Sequence, residues 1–148
     1  LQTPYFMPDA AFISSLKCAA VSGVDVRVMI PEESDSFLAG HISMSYLGEL
    51  LGVGVKVYLY RNGFLHSKTV VCDDFVSSVG SANLDFRSFY HNFEANAFVY
   101  DRGVATKLRD AFVEDMKYCR PLTIGDYNSR PFARRCIESA ARLLSPLL

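Results

Sequence analysis

Hydrophobic and polar positions follow two different periods over the first sixty residues. Apolar side chains recur at helical spacing over residues 10–21 and 37–51, whereas they occupy every second position over residues 24–30 and 55–60. A β-prone stretch at residues 3–7 precedes them. The pattern therefore predicts the order β-α-β-α-β, and alternating short strands and helices predict parallel pairing through crossover connections.

Residues typical of element ends separate these segments. Asp9 and Ser36 stand where a helix would begin and are good N-cap residues. Gly23 and the glycines at positions 52 and 54 follow the helical stretches, and Pro31 ends the second strand.

The rest of the chain predicts a hairpin followed by helical cover. We expect strands over residues 67–72 and 75–79 around a tight Asp73-Asp74 turn, then a polar loop over residues 80–88 and a strand over residues 94–100. Further predictions are a helix from Asp101 to residue 119, a loop over residues 125–130 and a terminal helix over residues 131–144. The predicted fold class is α/β, with a mixed, largely parallel sheet flanked by helices in one domain over residues 1–148.

Composition narrows the class of protein. The 148 residues include 15 Lys and Arg against 16 Asp and Glu, so nothing indicates a nucleic-acid-coating protein, although a local basic pocket is compatible with this balance. The four cysteines lack metal-ligand spacing, which favours reduced thiols; they are Cys18, Cys72, Cys119 and Cys136.

No apolar run approaches the roughly 20 residues that cross a bilayer. Because the chain starts LQTPYFMPD without Met, we expect a fragment of a longer protein.

Polar groups with complementary chemistry are concentrated in residues 63–96. They follow the spacing His66-x-Lys68-x4-Asp73-x6-Gly80-Ser81-x-Asn83, and Glu94 lies on the next predicted strand. In an extended segment His66 and Lys68 project to the same face.

This group of side chains suits a phosphate. Lys68 would offset the charge of its oxygens, Ser81 and Asn83 would donate hydrogen bonds, and His66 would attack phosphorus to give a phosphohistidine. A nucleophilic imidazole also needs an acceptor that sets its tautomer, and Glu94 is the candidate. The alternative is a hairpin that carries these groups incidentally.

The spacing H-x-K-x4-D-x6-G-S-x-N resembles, without a gap, the signature of the phospholipase D superfamily. The similarity extends over nearly the whole chain to the C-terminal half of bacterial cardiolipin synthases. The runs that carry it are TPYFMPD, GVDVRVMIP, GFLHSK, GSANLDFRSFYHNFEAN and RLLSPLL.

The resemblance implies roles for the motif residues. His66 would be the nucleophile or its partner acid, Lys68, Ser81 and Asn83 phosphate ligands, and Glu94 the orienting acid. Asp73 would organise the site without touching phosphorus.

The resemblance also implies a reaction. The activity would be phosphatidyl transfer between two phosphatidylglycerol molecules, giving cardiolipin and glycerol without metal or cofactor. The alternatives are a hydrolytic phospholipase D or nuclease, and an inactive half that serves as a dimerisation or membrane-docking module. The implied location is the bacterial cell membrane for the parent protein, with this segment soluble on the cytoplasmic side.

The chain lacks a second copy of the motif. His41 and His91 have no Lys two positions on and are expected to be surface or core histidines. A leaving group needs an acid, which in this superfamily is the histidine of the second motif. We therefore expect half a site, completed by an upstream half of the parent chain or by a homodimer mate, and little activity for this chain alone.

Other residues near element ends are weaker candidates. Ser34 and Asp35 would line the headgroup site or act as caps, and Arg87 would contact a second phosphate, a glycerol hydroxyl or a salt-bridge partner. Two segments have open roles. One is the aromatic cluster of Phe86, Phe89, Tyr90 and Phe93, in the core or on a lipid-facing rim; the other is residues 136–148, on an anionic membrane or docked on the sheet.

Overall fold

The computed structural model describes residues 1–147, where short strands alternate with helices as the pattern predicts. The strands are β1 (Phe6–Met7), β2 (Arg27–Pro31), β3 (Lys56–Tyr60), β4 (Thr69–Cys72), β5 (Val76–Gly80), β6 (Leu84–Asp85), β7 (Asn96–Tyr100) and β8 (Cys119–Leu122). The α-helices are α1 (Ala10–Val21), α2 (Phe37–Leu51), α3 (Phe86–Tyr90), α4 (Arg102–Asp115), α5 (Ile124–Asn128) and α6 (Phe132–Arg142). Two 3₁₀ turns cover Met116–Tyr118 and Ser145–Leu147.

The N-terminal residues join two groups of strands. Gln2 forms bridges with Met29 of β2 and Thr69 of β4, and its amide donates to the Thr69 carbonyl at 2.8 Å. The order across the sheet is therefore β8-β3-β2, the N-terminal residues, then β4-β5-β7, while β1 pairs with β6.

The predicted mixed α/β fold with flanking helices is confirmed. β1–β6 and β2–β3 are parallel, whereas β3–β8, β4–β5 and β5–β7 are antiparallel. The expectation of a largely parallel sheet is wrong, since three of the five strand pairs are antiparallel. A hairpin and two returning strands form these pairs, and antiparallel pairs need no crossover.

The first two helices have the predicted bounds because their caps satisfy the first free amides. Asp9 accepts a hydrogen bond from the Phe12 amide at 2.8 Å, and Ser36 accepts one from the Ala39 amide at 3.3 Å. Helix α2 then buries an apolar face that packs in the core with both early strands.

Strand β2 is buried on both faces, so the predicted one-sided alternation over residues 24–30 is wrong. Val28 and Ile30 face the main core, whereas Met29 lies opposite and its sulfur contacts the Gln2 amide nitrogen at 3.4 Å. The strand starts only at Arg27, and Val24 is exposed. A central strand that is covered on both faces carries apolar residues at consecutive positions, so alternation does not show which residues are buried.

Three short elements occupy stretches that the sequence pattern predicts otherwise. The predicted loop over residues 80–88 holds β6 and the start of α3, and the predicted loop over residues 125–130 holds most of α5. The helix predicted to residue 119 stops at Asp115, before β8. Each of these elements depends on a local cap or on a strand partner far along the chain, which hydrophobic periodicity does not register.

Helix α6 docks on α2. Arg142 forms an ion pair with Glu49 at 2.6 Å, and buried Glu138 lies between Arg130 at 2.5 Å and Arg134 at 3.2 Å. The helical part of residues 136–148 therefore packs on helix α2 and not on the sheet, as one of the two expectations had it. Leu148 lies outside the described residues. Among residues 1–147, no helix combines the length and apolar character needed to cross a bilayer.

Candidate active site

Three chain segments meet at one end of the β4-β5-β7 group. His66 and Lys68 lie just before β4 rather than within it, because β4 starts at Thr69. The antiparallel pairing sets Thr69 opposite Val79, so the end of β5 returns to the start of β4, and β7 begins beside it. Residues that precede β4, follow β5 and precede β7 therefore share one edge of the sheet.

Ser81 and Glu94 form the centre of the polar network at this edge. The Ser81 hydroxyl donates to Oε2 of Glu94 and accepts from the Ala95 amide at 3.0 Å. Oε1 of Glu94 accepts from the Asn92 side chain at 3.2 Å and from the Ser88 hydroxyl at 3.3 Å. These bonds stabilise the carboxylate, and the Ser81 bond is the main cause that lowers the pKa of Glu94.

Ser88 is a member of this network that the sequence analysis does not single out. Its hydroxyl accepts from the Asn83 amide at 3.1 Å, and its own amide donates to the buried Asp85 carboxylate at 2.7 Å. The Asp-x-x-Ser spacing of a helix cap is the sequence signal that indicates this arrangement. Through Ser88, the start of α3 holds the Asn83 backbone near Glu94.

Asn83 has free capacity for a ligand. Its Oδ1 is buried and has no hydrogen-bond partner within residues 1–147. A buried amide with an unmet bond costs free energy unless a ligand or water completes it. This oxygen is therefore suited to accept from a hydroxyl or a water, and the donor of the same amide that could serve a phosphate oxygen is Nδ2.

Lys68 and His66 lie at the exposed side of the network. The Lys68 ammonium donates to the His66 carbonyl at 3.0 Å. Partial burial lowers the pKa of Lys68, and the charges of Glu94 and Asp85 act against this shift. The exposed His66 ring packs beside Phe64, with 5.4 Å between ring centroids.

The expected contact between His66 and Glu94 is not formed in this structure. Within the part of the chain described, the His66 ring makes no hydrogen bond, and the Glu94 carboxylate receives its bonds from Ser81, Ser88 and Asn92. An orienting role for Glu94 toward His66 thus stays a prediction.

Asp73 and Arg87 are not brought into this group. Asp73 lies at the β4–β5 turn, and five residues of extended chain separate it from Lys68, about 16 Å at the usual rise of a strand. Asp73 and Asp74 have positive φ angles of 51° and 53°, which fits the turn role of aspartate. Arg87 is exposed on α3, and its guanidinium has no ion pair or hydrogen bond within residues 1–147.

The remaining candidates divide between structural and open roles. The Phe89 ring packs on Phe12 with centroids 5.8 Å apart, and the Tyr90 hydroxyl donates to Asp9, so these two aromatic side chains support the fold. Phe93 is fully exposed. The His41 ring lies 2.8 Å from the Phe37 carbonyl of its own helix.

The chain is similar to known proteins over its whole length. Residues 1–116 match the family described as cardiolipin synthase, PLD-like domain. The chain is 49% identical to the major cardiolipin synthase ClsA of Bacillus subtilis and 50% identical to cardiolipin synthase 2 of Staphylococcus epidermidis, each over 148 residues. These matches cover 100% of this chain but 31% and 30% of the relatives. The chain thus spans about a third of the length of these curated relatives.

Solved structures share the fold. Nuc of Salmonella typhimurium, a phospholipase D family member, has a TM-score of 0.71 at 19% identity, covering 82% of this chain and 79% of its own. Phosphatidylserine synthase of Haemophilus influenzae has a TM-score of 0.71 at 18% identity, covering 99% of this chain and 40% of its own. At these identities the likeness shows the fold alone. The family match over residues 1–116 shows that this chain belongs to the cardiolipin synthase family of phospholipase D-like domains.

Proposed function

We propose that the parent protein makes cardiolipin from two phosphatidylglycerol molecules and that this chain supplies one half of its active site. The observation that supports this most is the meeting of Lys68, Ser81, Asn83 and Glu94 beside His66. The full-length identity of 49–50% to cardiolipin synthases points to the lipid substrate.

The phosphate of the substrate would bind among these side chains. Lys68 balances the charge of the nonbridging oxygens, and the Asn83 amide group donates a hydrogen bond. Ser81 joins them by exchanging its bond to Glu94 for one to phosphate. Arg87, which is exposed on the neighbouring α3, would be a weaker headgroup contact.

The proposed reaction has two balanced displacements. In the first, a ring nitrogen of His66 attacks phosphorus, and the bond from phosphorus to the oxygen of the headgroup glycerol breaks. That oxygen takes a proton from an acid on the companion half, and glycerol leaves. In the second, a hydroxyl of another phosphatidylglycerol attacks phosphorus, the bond from phosphorus to nitrogen breaks, and the hydroxyl proton returns to that acid. The products are cardiolipin and glycerol.

Glu94 and Asp73 would act by positioning other groups. Glu94 holds Ser81 by a hydrogen bond and raises the pKa of Lys68, which favours the charged ammonium. To orient His66, the Glu94 carboxylate would have to exchange one of its present hydrogen bonds for one to the imidazole. Asp73 stabilises the turn that sets the β4–β5 register, and thereby the approach of Lys68 to the end of β5.

The missing acid requires a companion half, either in the same parent chain or on a second copy. Strand β7 presents an apolar surface suited to such a partner: Phe98 and Tyr100 are 66% and 69% exposed, and Phe75 lies beside Tyr100. Unpaired edge strands with large exposed apolar side chains are candidates for association. Because the substrates are phospholipids, we place the parent protein at the bacterial membrane, on its cytoplasmic side.

The direct test uses the full-length parent in detergent with labelled phosphatidylglycerol. Cardiolipin plus glycerol is the expected product pair, whereas phosphatidic acid alone would identify a hydrolase. His66→Ala should abolish product formation. The matched control is His41→Ala, which removes a histidine that bonds within its own helix and should leave the activity intact. Near-normal turnover of His66→Ala would remove this residue from the mechanism.

The companion-half proposal has its own test on the isolated chain. Light scattering at micromolar concentration should show a dimer or larger species, which Phe98→Asp should dissociate by burying an unpaired charge. Val113→Asp is the control, since Val113 is an exposed apolar residue on α4. A clean monomer of the unmodified chain would contradict association through β7.

A further inference from the structure

A cavity of about 600 Å³ adjoins the phosphate-binding group and has no role in the chemistry above. It lies at the carboxyl ends of β2 and β3, whose parallel pairing sets Pro31 opposite Tyr60. The loops that follow two parallel strands open at the same edge, which is where α/β folds bind ligands. Its lining includes Glu33, Ser34, Asp35, Tyr60, Arg61 and Phe64.

The cavity neighbours the site through Phe64, and one of its acids, Asp35, is held by Tyr5. Phe64 lines it, and the same ring lies 5.4 Å from the His66 ring. Tyr5 donates from its hydroxyl to Oδ1 and Oδ2 of Asp35 at 2.8 and 2.9 Å. A molecule in the cavity would therefore end close to the group that attacks phosphorus.

The lining combines acceptors and donors. The Glu32 carboxylate is neutralised by ion pairs with Arg61 and, at 2.7 Å, with Arg120. The carboxylates of Glu33 and Asp35 form no ion pair within residues 1–147, so they remain acceptors that repel an anion. Arg61, although it pairs with Glu32, adds N–H donors to the same cavity.

Neutral hydroxyl compounds match this lining best. A hydroxyl group both donates and accepts, so a polyol can use carboxylates, Ser34 and the Tyr60 and Arg61 donors at once. A phosphate would be repelled here and directed to Lys68.

We propose that this cavity binds the glycerol headgroup of phosphatidylglycerol, with Asp35 as its main acceptor and Tyr5 as the residue that positions Asp35. This inference rests on the proposed function and assigns a substrate subsite to it. A carboxylate whose two oxygens share the single Tyr5 hydroxyl proton keeps lone pairs for two substrate hydroxyls. Burial, followed by the bond to Asp35, raises the pKa of Tyr5 to about 12, so its hydroxyl stays a donor at neutral pH.

The experiment separates headgroup recognition from phosphoryl chemistry. The full-length parent is given phosphatidylglycerol and labelled glycerol, and headgroup exchange is followed as a function of glycerol concentration. In parallel, cleavage of bis(p-nitrophenyl) phosphate, a phosphodiester without a polyol, reports on the chemistry alone. Asp35→Asn should raise the KM for glycerol by about 10- to 100-fold, the usual effect of losing a hydrogen bond to a charged group, and leave cleavage of the polyol-free diester unchanged.

Two further variants complete the design. Tyr5→Phe should raise the glycerol KM by less, because Asp35 keeps its charge and loses only its fixed position. Glu114→Gln is the control, because Glu114 is an exposed acid of helix α4 that pairs with the neighbouring Lys117. It should change neither activity.

The outcomes distinguish this inference from the function on which it rests. An unchanged glycerol KM in Asp35→Asn, or an equal loss of both activities, would overturn the glycerol subsite while cardiolipin synthesis stands. Preference of the unmodified enzyme for ethanolamine over glycerol in the exchange would also overturn it, because the cavity would then select a cation. An enzyme that cleaves the polyol-free diester but neither exchanges glycerol nor forms cardiolipin would refute the proposed function and the subsite together.

Discussion

The Ser81 hydroxyl donates to the Glu94 carboxylate across 13 residues of sequence, and this bond links the end of β5 to the segment before β7. A backbone hydrogen bond joins the same two segments, since the Ser81 amide donates to the Ala95 carbonyl at 3.1 Å. Glu94 is thereby held beside Lys68, whose pKa it raises against the effect of burial. Glu94, the expected acceptor for His66, is in this structure a partner of Ser81, one of the residues proposed to bind phosphate.

Removing the Ser81 hydroxyl should weaken the acidity of Glu94. The pKa of Glu94 is lowered mainly by the Ser81 bond, so Ser81→Ala should move it up toward the usual glutamate value. Because the folded-state pKa is depressed, the contribution of Glu94 to stability is present above its unfolded pKa and is lost as the pH falls through the folded one. Ser81→Ala should therefore reduce the loss of stability that occurs as the pH falls through the pKa of Glu94.

Carboxyl-carbon NMR titration measures the pKa of Glu94 directly. Ser139→Ala, at an exposed serine of α6, is the matched control and should leave it unchanged. A Glu94 titration that Ser81→Ala does not move would show that the hydroxyl bond is unimportant in solution.

The charge of Lys68 should control phosphate affinity at alkaline pH. Burial lowers the pKa of Lys68, so folding with a protonated Lys68 is disfavoured. This cost is fully present below the lowered pKa and disappears as the pH rises from there through the ordinary lysine value. Bound inorganic phosphate should raise the pKa again, and its affinity should fall as the pH rises through that of Lys68. Nitrogen NMR of the Lys68 ammonium with and without phosphate measures both effects.

A variant of Glu94 tests the same coupling from the other side. Glu94→Gln removes a negative charge that raises the pKa of Lys68, so it should lower that pKa further. Asp110→Asn, at an acid that pairs with Arg109 on α4, serves as the control. An unchanged Lys68 titration in Glu94→Gln would mean that the two charges do not interact in solution.

Asp73 should matter for the turn and not for turnover. Its positive φ suits Gly and disfavours β-branched residues, so Asp73→Gly should be tolerated, whereas Asp73→Val should destabilise the fold by about 1–2 kcal/mol. Asp73→Gly, which keeps the turn and therefore the β4–β5 register, should keep its turnover in the parent protein, because about 16 Å of extended chain separates position 73 from Lys68. Urea unfolding and steady-state kinetics on the same samples separate the two effects. A large loss of turnover in a stable Asp73→Gly variant would place Asp73 in the chemistry.

Gly80 should be intolerant of any side chain. A Cβ at this position would lie 2.6 Å from Cα of Asn96 and even closer to the Asn96 side chain and the Ala95 carbonyl. Because the obstacles include backbone atoms of the paired strand, Gly80→Ala should cost about 1–3 kcal/mol of unfolding free energy and loosen the position of Glu94. Gly125→Ala is the control, since the nearest atom there is Thr123 Oγ1 at 3.6 Å. Equal stability of the two variants in guanidinium unfolding would contradict the close approach of β5 and β7.

Local signals account for the parts of the fold that the sequence predicts well. α1 and α2 start as predicted because Asp9 and Ser36 act within one turn of their own positions. The hairpin turn at Asp73-Asp74 is equally local. The missed elements depend on partners elsewhere: β8 exists because Leu59 of β3 pairs with Arg120, and β6 because β1 lies beside it.

The same division applies to the site. The sequence by itself determined which chemical groups are present, since the spacing of His66, Lys68, Ser81 and Asn83 was sufficient to indicate phosphate chemistry and a family. Only the tertiary structure decided which of these groups meet. The antiparallel return of β5 and β7 brings Ser81 and Glu94 to Lys68 and sends Asp73 to the far end of the hairpin. The physical reason is that contacts between distant side chains depend on strand order and register, which the whole fold sets. The chemistry of a residue and the effect of a helix cap depend only on that residue and its neighbours in sequence.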